Sequence, residues 1–427
     1  MTVAGPQTTV EPPEPGARRI GQKPGRRNAT LLKVLVGLGV LVVLLSVTAA
    51  ITGANDLTSP GTIGAALALS MPIAMAGLGG LWSERAGVVN IGLEGMMILG
   101  TWGAGWAGYQ WGPWTGVLVG SIMGAVGGLL HAIATVGFGV DHIVSGVAIN
   151  LLGLGAAQFL SGVAFEGVPG GGGTQSPNVD DITKVSVPFI GDPLRDLRTE
   201  DVFLVSDLAG ILHGLLVGIS LLTIASILLV IGSYYVLWRS AFGLRLRSCG
   251  ENPVAAESLG VNVYLMKFVA VVASGAFAGL GGAFLAIVAA SQYREGQTGG
   301  RGFIGLAAMI FGNWRPGGLI MGSGLFGFTD ALQLRGGESV HALLLLVGGL
   351  LIGAAGYLVV RRQLVGAGIA GAIGVLALWW YFSTDEIPGA FTNMTPYVAT
   401  LIVLTVASQR LRMPAADGLP YRKGQGG

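Results

Sequence analysis

The chain has 427 residues, of which 52% are hydrophobic and only 11% are charged, and its mean hydropathy is +0.69. Because soluble domains carry about 25% charged residues, this composition predicts an integral membrane protein. The net charge of +2 gives no electrostatic support to nucleic-acid binding. One cysteine, Cys249, leaves no intrachain disulfide and no thiolate metal cluster, and four scattered histidines argue against a His-based metal site.

The first 30 residues are polar, rich in proline and basic, and they precede an apolar run from Leu31 to Ile51. A signal peptide is the competing interpretation. The run is about 20 residues long, however, which is enough to span a membrane, and no A-x-A cleavage pattern follows it. We therefore predict a disordered basic tail over residues 1–30, followed by a true span.

Apolar segments recur along the rest of the chain and define a membrane domain over residues 31–409. They predict an all-α, polytopic membrane protein with about 10–12 transmembrane or half-membrane helices. The segments lie near residues 31–52, 61–82, 88–108, 114–136, 142–164, 211–238, 264–290, 303–312, 317–334, 340–360, 365–383 and 395–409.

Basic residues orient these segments, because cytoplasmic loops of membrane proteins carry an excess of Lys and Arg. If every segment crosses, the basic clusters all fall on the side of the N-terminus. Both termini, including the tail over residues 410–427, are then cytoplasmic, and the acidic segment 165–210 is external. The clusters beyond the N-terminal tail are Arg239, Arg245 and Arg247; Arg361 and Arg362; and Arg410, Arg412, Arg422 and Lys423.

Two segments, one in each half of the chain, do not read as simple spans. Residues 88–100 place Asn90, Gly92 and Glu94 at membrane depth, and the apolar part of residues 302–313 is long enough for only about half the bilayer. Paired interrupted segments point to a transport path lined by broken helices. The alternative is that the glycines serve helix packing alone.

For each polar residue within the spans, a functional role is weighed against a structural or interfacial one. Glu94 has a structural or path-lining role, contacts substrate directly, or lies nearer the interface. Asn150 lines a path or bonds another helix. Asp141 is expected to cap a helix, with His142 in solvent rather than acting as a proton-sensitive group. Asp330 and His341 are expected at the membrane interface.

Residues Gly250–Gly260 form a polar segment between two long apolar runs. Asn252 is suited to cap a helix, Pro253 to its first position, and Gly260 to end it. Ala255 and Ala256 are expected to leave a low surface that another protein can approach closely. The alternatives are a docking helix and an ordinary connector.

Motif searches exclude several functions. The sequence contains no G-x-x-x-x-G-K-[ST] phosphate loop, no H-E-x-x-H and no G-x-S-x-G, so no enzyme signature is present and no cofactor is implied. We therefore predict no catalytic residues.

Several long segments resemble permease subunits of bacterial ATP-binding-cassette (ABC) importers of the branched-chain amino acid, ribose and nucleoside group. The similarity runs from about residue 60 to the end and is greatest to nucleoside-type permeases. It is carried by E-R-A-G-V-V-N-I-G-L-E-G-M-M (84–97), I-V-S-G-V-A-I-N (143–150), R-S-C-G-E-N-P-V-A-A-E-S-L-G (247–260), G-R-G-F-I-G-L-A-A-M-I-F-G-N-W (300–314) and P-A-A-D-G-L-P-Y-R-K-G (414–424).

The resemblance implies a permease subunit in a bacterial cytoplasmic membrane. Its partners would be cytoplasmic ABC ATPases, a second related permease, an external substrate-binding lipoprotein, membrane lipid and a small-molecule substrate. Alternating access would be driven by ATP hydrolysis in the ATPases. Residues 239–263 would form a cytoplasmic coupling loop, in which the docking residues are Gly250, Glu251, Asn252, Pro253, Ala255, Ala256, Leu259 and Gly260.

The broken segments would line the path, with Asn90, Glu94, Asn150 and Phe303 as candidates for substrate contact. The alternative cargoes are simple sugars and branched-chain amino acids. The rival classes are an ion-coupled secondary transporter and a membrane enzyme acting on lipid. The sequence departs from the family in an extra span at 365–383, a large 165–210 loop, and a histidine at position 142 where glutamine is expected.

Overall fold

A computed structural model describes most of the chain, and within that part the fold is an α-helical bundle with one short antiparallel ladder. Seven helices of the described part are long and apolar enough to cross a membrane. The prediction of an all-α, polytopic membrane protein is therefore confirmed. The described residues are 25–200, 202–392, 394, 395, 398 and 411–424.

The first half of the chain supplies five long helices and two short ones. The long helices are α1 (Gly25–Thr52), α2 (Pro60–Arg85), α3 (Leu93–Trp111), α4 (Pro113–Ala132) and α5 (His142–Phe165). The short helices are α6 (Gly191–Thr199) and α7 (Val205–Leu216). Two strands, β1 (Lys184–Val185) and β2 (Ile219–Ser220), pair beside them.

The second half contains the remaining helices. They are α8 (Leu221–Arg239), α9 (Ala241–Glu251), α10 (Pro253–Ser258), α11 (Val263–Phe284), α12 (Arg301–Phe311), α13 (Pro316–Gln333), α14 (Gly337–Val360), α15 (Leu364–Ser383) and α16 (Gly389–Thr392). Short π-helical turns, Ile133–Gly137 and Leu285–Ala289, extend α4 and α11.

Two sequence-based boundaries differ from the structure, and one cannot be compared. The first helix begins at Gly25 rather than Leu31, and residues 1–24 of the expected tail lie outside the described residues. The apolar run 211–238 is two helices rather than one, because Gly218 turns with a φ of 72° and Ser220 caps α8. Most of the last expected span, 395–409, also lies outside the described residues.

The bundle has a buried centre and an exposed periphery. In the central helices α2 and α11, 72% of the most apolar window is buried, against 6% in α14 and 11% in α15. Helix α11 packs against α2, α3 and α4. The outer helices therefore present their apolar faces to lipid or to another membrane protein.

Glycine allows the closest of these contacts. A Cβ built on Gly279 of α11 would lie 2.4 Å from the carbonyl oxygen of Gly120, and one on Gly124 of α4 would lie 2.3 Å from that of Gly275. No side chain fits at such distances, so the two backbones touch directly. Small residues at helix crossings are the usual means of packing within membranes, where the hydrophobic effect does not drive helices together.

Two ends of the bundle can be defined from the connections. The loop end carries residues 166–220, with α6, α7 and the β ladder. The tail end carries α9, α10 and residues 411–424, and the backbone of Ala416 bonds that of Gly250. Helix α8 joins the two ends.

We predict that Gly279→Val destabilises the purified chain in detergent by about 1–3 kcal/mol, because the added side chain forces α4 and α11 apart. The matched control is Gly155→Val, at a helical glycine with no atom within 4 Å of its built Cβ. Thermal unfolding of both variants measures the difference. Equal unfolding temperatures would contradict the proposed crossing.

Candidate transport path and docking surface

The first candidate feature is a helix break at residues 86–92, between α2 and α3. The side chain of Asn90 accepts a hydrogen bond from the Gly92 amide (3.0 Å) and donates one to the Ser274 hydroxyl of α11 (2.8 Å). Asn150 of α5 accepts from the Gly95 amide (2.7 Å) and donates to the Ile91 carbonyl (3.0 Å). The side-chain amides of Asn90 and Asn150 therefore bind backbone groups that the break removes from helical pairing.

A second break precedes the half-helix α12. Gly299 and Gly300 have φ angles of 53° and 78°, which turn the chain from α11 into α12. This helix has 11 residues, about 16 Å at 1.5 Å per residue. It is too short to cross a bilayer alone, as its sequence predicted.

Glu94 joins the two breaks. It lies in the first turn of α3, is 7% exposed, and its two carboxylate oxygens accept hydrogen bonds from the amides of Gly300 (3.0 Å) and Gly302 (2.7 Å). These amides begin α12, where the helix dipole favours a negative charge. In this conformation Glu94 makes a structural contact, and its path-lining and substrate-contact roles stay predictions.

Phe303 differs from the other three path candidates in its accessibility. Its side chain is 45% exposed, whereas Asn90 is fully buried. Phe303 follows Gly302, the α12 residue whose backbone lies against Glu94. Because successive residues of a helix project in different directions, the Phe303 ring does not share that contact. The structure therefore brings Asn90, Glu94 and Asn150 into one layer and leaves Phe303 open beside it.

Two residues expected at the membrane interface are buried within the protein. Asp330 of α13 is 7% exposed and pairs with Arg301 of α12, whose Nε and Nη2 lie 3.0 and 2.6 Å from one carboxylate oxygen. His341 is also buried, stacked on Tyr381 and bonded to its carbonyl oxygen. The sequence analysis missed the Arg301–Asp330 pair, although an acidic residue within an apolar helix was a signal that a partner is needed.

His142 is likewise not in solvent. It is 4% exposed, and its Nδ1 accepts a hydrogen bond from the Val89 amide (3.3 Å) within the first break. His131 meets the Val89 carbonyl oxygen (3.1 Å) and the Ser145 hydroxyl (2.8 Å). The expectation was wrong because α5 packs its first turn onto the break. The predicted Asp141 cap is confirmed, since its carboxylate accepts from the amides of Ile143 and Val144.

The predicted docking segment, Gly250–Gly260, lies at the tail end and contains the end of α9 and the whole of α10. Gly250 and Glu251 end α9, and Asn252 caps the six-residue α10 by accepting from the Ala255 amide (3.0 Å). Pro253 takes the first helical position, and Gly260 follows the helix with a φ of 80°. The predicted cap, first position and stop are therefore confirmed.

The surface of α10 has one open side. Val254 is 39% exposed, Leu259 is 85% exposed, and Ala255 also faces outward. Ala256 does not contribute as expected, because it is 2% exposed and packs with Cys249 and Val263. A low, apolar surface remains on the outside of the helix.

Polar contacts connect the tail end to the half-helix α12. Arg85, the last residue of α2, donates two hydrogen bonds to the carbonyl oxygen of Trp314 (3.0 and 2.7 Å) and lies 3.7 Å from Glu251 of α9. The Trp314 indole donates to Glu84 (2.5 Å). Trp314 follows the end of α12, so α2, α9 and α12 meet at this point.

Asp417 lies in the same region, on the tail. Its carboxyl is buried against Glu84, with Arg85 and Lys267 as the neighbouring cations. Burial raises the pKa of the Asp417 carboxyl to about 7, although Lys267 and Arg85 oppose the shift.

Comparison with known families identifies the class of protein. Residues 62–355 match the family model described as "Branched-chain amino acid transport system / permease component", so the chain belongs to this family of transport permeases. The resemblance to ABC importer permeases is confirmed. The described part of the chain contains seven helices long and apolar enough to cross a membrane, so the chain is a multi-pass membrane protein.

Individual relatives within this family are named as nucleoside or guanosine permeases. The guanosine ABC transporter permease protein NupQ of Bacillus subtilis is 33% identical over 371 residues, which is 84% of this chain and 96% of NupQ. The nucleoside ABC transporter permease protein NupC of Lactococcus lactis is 34% identical over 366 residues, 84% of this chain and 95% of NupC. A more distant relative is NupP of Bacillus subtilis, also a guanosine ABC transporter permease protein, with 24% identity over 70% of this chain and 82% of NupP. No solved structure matches the chain.

We predict that Glu94→Ala destabilises the chain by about 1–3 kcal/mol, because it leaves two buried amides without acceptors. Glu94→Gln keeps one amide oxygen as an acceptor and should fall between Ala and the wild type. Glu166→Ala, at an exposed residue just after α5, is the control. Thermal unfolding in detergent measures the series, and an Ala variant as stable as the control would exclude the capping role.

The Asp417 pKa predicts that the tail is held less firmly as pH rises. A carboxyl whose folded pKa is raised from 3.8 to about 7 favours the folded state below its unfolded pKa, and this contribution is lost as pH rises through 7. Hydrogen exchange of the Ala416 amide, corrected for its intrinsic rate, should show protection falling by at least about tenfold from pH 5 to pH 8. Asp417→Asn should flatten this dependence, and an unchanged slope would assign it to another group, such as Glu84.

Proposed function

We propose that the chain is the membrane-spanning permease subunit of an ABC importer and that its cargo is a nucleoside. The similarity to NupQ and NupC carries this proposal, since both are named as guanosine or nucleoside permeases. The chain covers 96% and 95% of these two proteins. The likeness therefore extends over the whole relative and is not limited to one shared segment.

The proposed orientation places the tail end in the cytoplasm. Arg245 and Arg247 lie on α9 and Arg422 and Lys423 lie on the tail, while the loop end carries the acidic segment 165–210. Lys and Arg are retained on the cytoplasmic side of membrane proteins, which supports this assignment. An external substrate-binding lipoprotein would then deliver cargo at the loop end.

Helix α10 is proposed as the docking helix for a cytoplasmic ATPase. Its open side is formed by Val254, Ala255 and Leu259, which are exposed and uncharged. An exposed apolar side on a short polar helix is suited to a cleft on another protein. The alternative of an ordinary connector predicts that substitution of these exposed side chains leaves uptake unchanged.

A second permease is proposed to complete the path. Only 28% of the most apolar window of α5 is buried, although this helix carries Asn150 next to the first break. Phe303 also exposes much of its ring. A path lined on one side by these residues requires another surface opposite, which a related permease would supply.

The proposed mechanism is alternating access driven by ATP binding and hydrolysis in the partner. Closure of the ATPase dimer would move α10 and α9, and Arg85 would carry that movement to Trp314 at the end of α12. The other end of α12 rests on Glu94. Movement of this half-helix would therefore open and close the layer in which the two breaks meet.

The side-chain types of the path candidates are those that a nucleoside would need. A base needs aromatic or apolar surface, and a ribose needs a few amide or carboxylate groups. The exposed ring of Phe303 supplies the first, and Asn90, Glu94 and Asn150 are the candidates for the second. Their polar atoms bind backbone groups in this conformation, so contact with ribose would require the breaks to rearrange.

We predict that Ala255→Arg abolishes ATP-driven uptake of radiolabelled guanosine by liposomes that contain the assembled importer, because the added charge and volume block docking. Ala256 is avoided because a substitution there disturbs the buried side of α10. Ala241→Arg, at an exposed alanine on α9, is the matched control and should transport normally. Undiminished uptake with Ala255→Arg would exclude α10 as the docking helix.

The same assay separates the alternatives. Competition by unlabelled sugars or branched-chain amino acids, but not by nucleosides, would change the cargo and keep the class. Uptake that continues without ATP and stops when the proton gradient collapses would favour an ion-coupled secondary transporter.

A further inference from the structure

The C-terminal tail crosses the tail end in close contact with three other segments. We call residues 412–422 the tail strap. The strap begins where the Arg412 amide donates to the side-chain oxygen of Asn313 (2.8 Å), between α12 and α13. It then crosses the end of α9, where the Ala416 amide donates to the Gly250 carbonyl (2.8 Å). It ends beside α10, where the Tyr421 hydroxyl donates to Glu257 (2.5 Å).

The crossing at Gly250 leaves no space for movement between segments. A Cβ on Gly250 would lie 2.3 Å from the Arg85 carbonyl oxygen, and one on Gly87 would lie 3.2 Å from that of Ala416. The end of α2, the end of α9 and the strap therefore touch backbone to backbone. Displacement of one of the three requires displacement of the others.

Tyr421 supports the inner side of α10. Its ring packs on Tyr264, with centroids 5.4 Å apart, and the Lys267 ammonium lies 5.9 Å from its centroid. The ring also packs against the cluster that contains Ala256, the inward-facing residue of α10. A helix of six residues is too short to be stable alone, so its orientation depends on these contacts.

At its other end the strap meets a turn with an unusual backbone. Asn313 and Trp314 have φ angles of 55° and 52°, a left-handed conformation that costs energy for residues other than glycine. Arg85 binds the Trp314 carbonyl oxygen, and the strap binds the Asn313 side chain. The turn that ends α12 is therefore held from two sides.

We infer that the tail strap is a positioning element that holds α10 to the turn after α12, so that movement of α10 is transmitted to the half-helix. The inference rests on the proposed function, because α10 is taken as the site that the ATPase moves. Among the described residues the strap touches Gly87 and Val89 of the first break, but its hydrogen bonds go to Asn313, α9 and α10 rather than to Asn90, Glu94 or Asn150. Its effect is on coupling rather than on docking or on substrate binding.

The test compares Tyr421→Ala with Tyr421→Phe in the assembled importer. The alanine variant removes the ring and the hydroxyl, so cargo imported per ATP hydrolysed should fall roughly tenfold, while the ATPase still co-purifies and hydrolyses ATP. The phenylalanine variant keeps the ring and should restore most of this ratio. Leu419→Ala is the matched control, since this strap side chain is 58% exposed.

Two results would overturn the inference. An unchanged ratio with Tyr421→Ala would mean that the strap does not transmit movement. Loss of the ATPase from the purified complex would mean that the strap belongs to the docking surface instead.

A separate measurement on the permease alone distinguishes failure of the strap from failure of the proposed function. Tyr421→Ala should increase hydrogen exchange of α10 in the isolated chain, and unchanged exchange would reject the strap. If wild-type protein neither binds an ATPase nor needs ATP for uptake, the proposed function fails and the transmission inference fails with it. If exchange of α10 nevertheless increased in that case, the result would show that the strap stabilises α10 but would say nothing about transmission of movement.

Discussion

Backbone groups that leave helical pairing inside a membrane must find other partners, and this constraint governs the centre of the molecule. The chain breaks twice within the bundle, before α3 and before α12. Asn90 and Asn150 serve the first break, and Glu94 serves the second. Glu94 lies at the start of α3, directly after the first break. The residue that binds the second break is therefore positioned by the first. Neither break is stable in this form without its counterpart.

The half-helix α12 extends from this layer to the tail end. Its first amides rest on Glu94, and the turn after its last residue is bound by Arg85. Arg85 lies at the end of α2 and near Glu251 of α9, so the exposed α10 and the buried breaks are linked through a few contacts. Under the proposed function, this half-helix would act as the lever between the proposed docking surface and the layer in which the two breaks meet.

Much of this arrangement was predictable from local sequence. Asn252, Pro253 and Gly260 specified a short capped helix, and Asp141 specified a helix start. The short apolar stretch after Gly302 specified a half-helix. The errors came from packing between distant segments. His142 is buried because α5 lies on the first break, and the run 211–238 divides because Gly218 turns the chain.

The sequence by itself determined the membrane class, the approximate positions of the helices, and the caps, because hydrophobicity and capping depend on neighbouring residues. Only the tertiary structure decided which groups pair. Glu94 meets the Gly300 amide 206 residues away, and the strap meets α10 through Tyr421 and Glu257, 164 residues apart. Such pairs follow from how the helices cross, which depends on close backbone packing at glycines such as Gly279 and not on any local pattern.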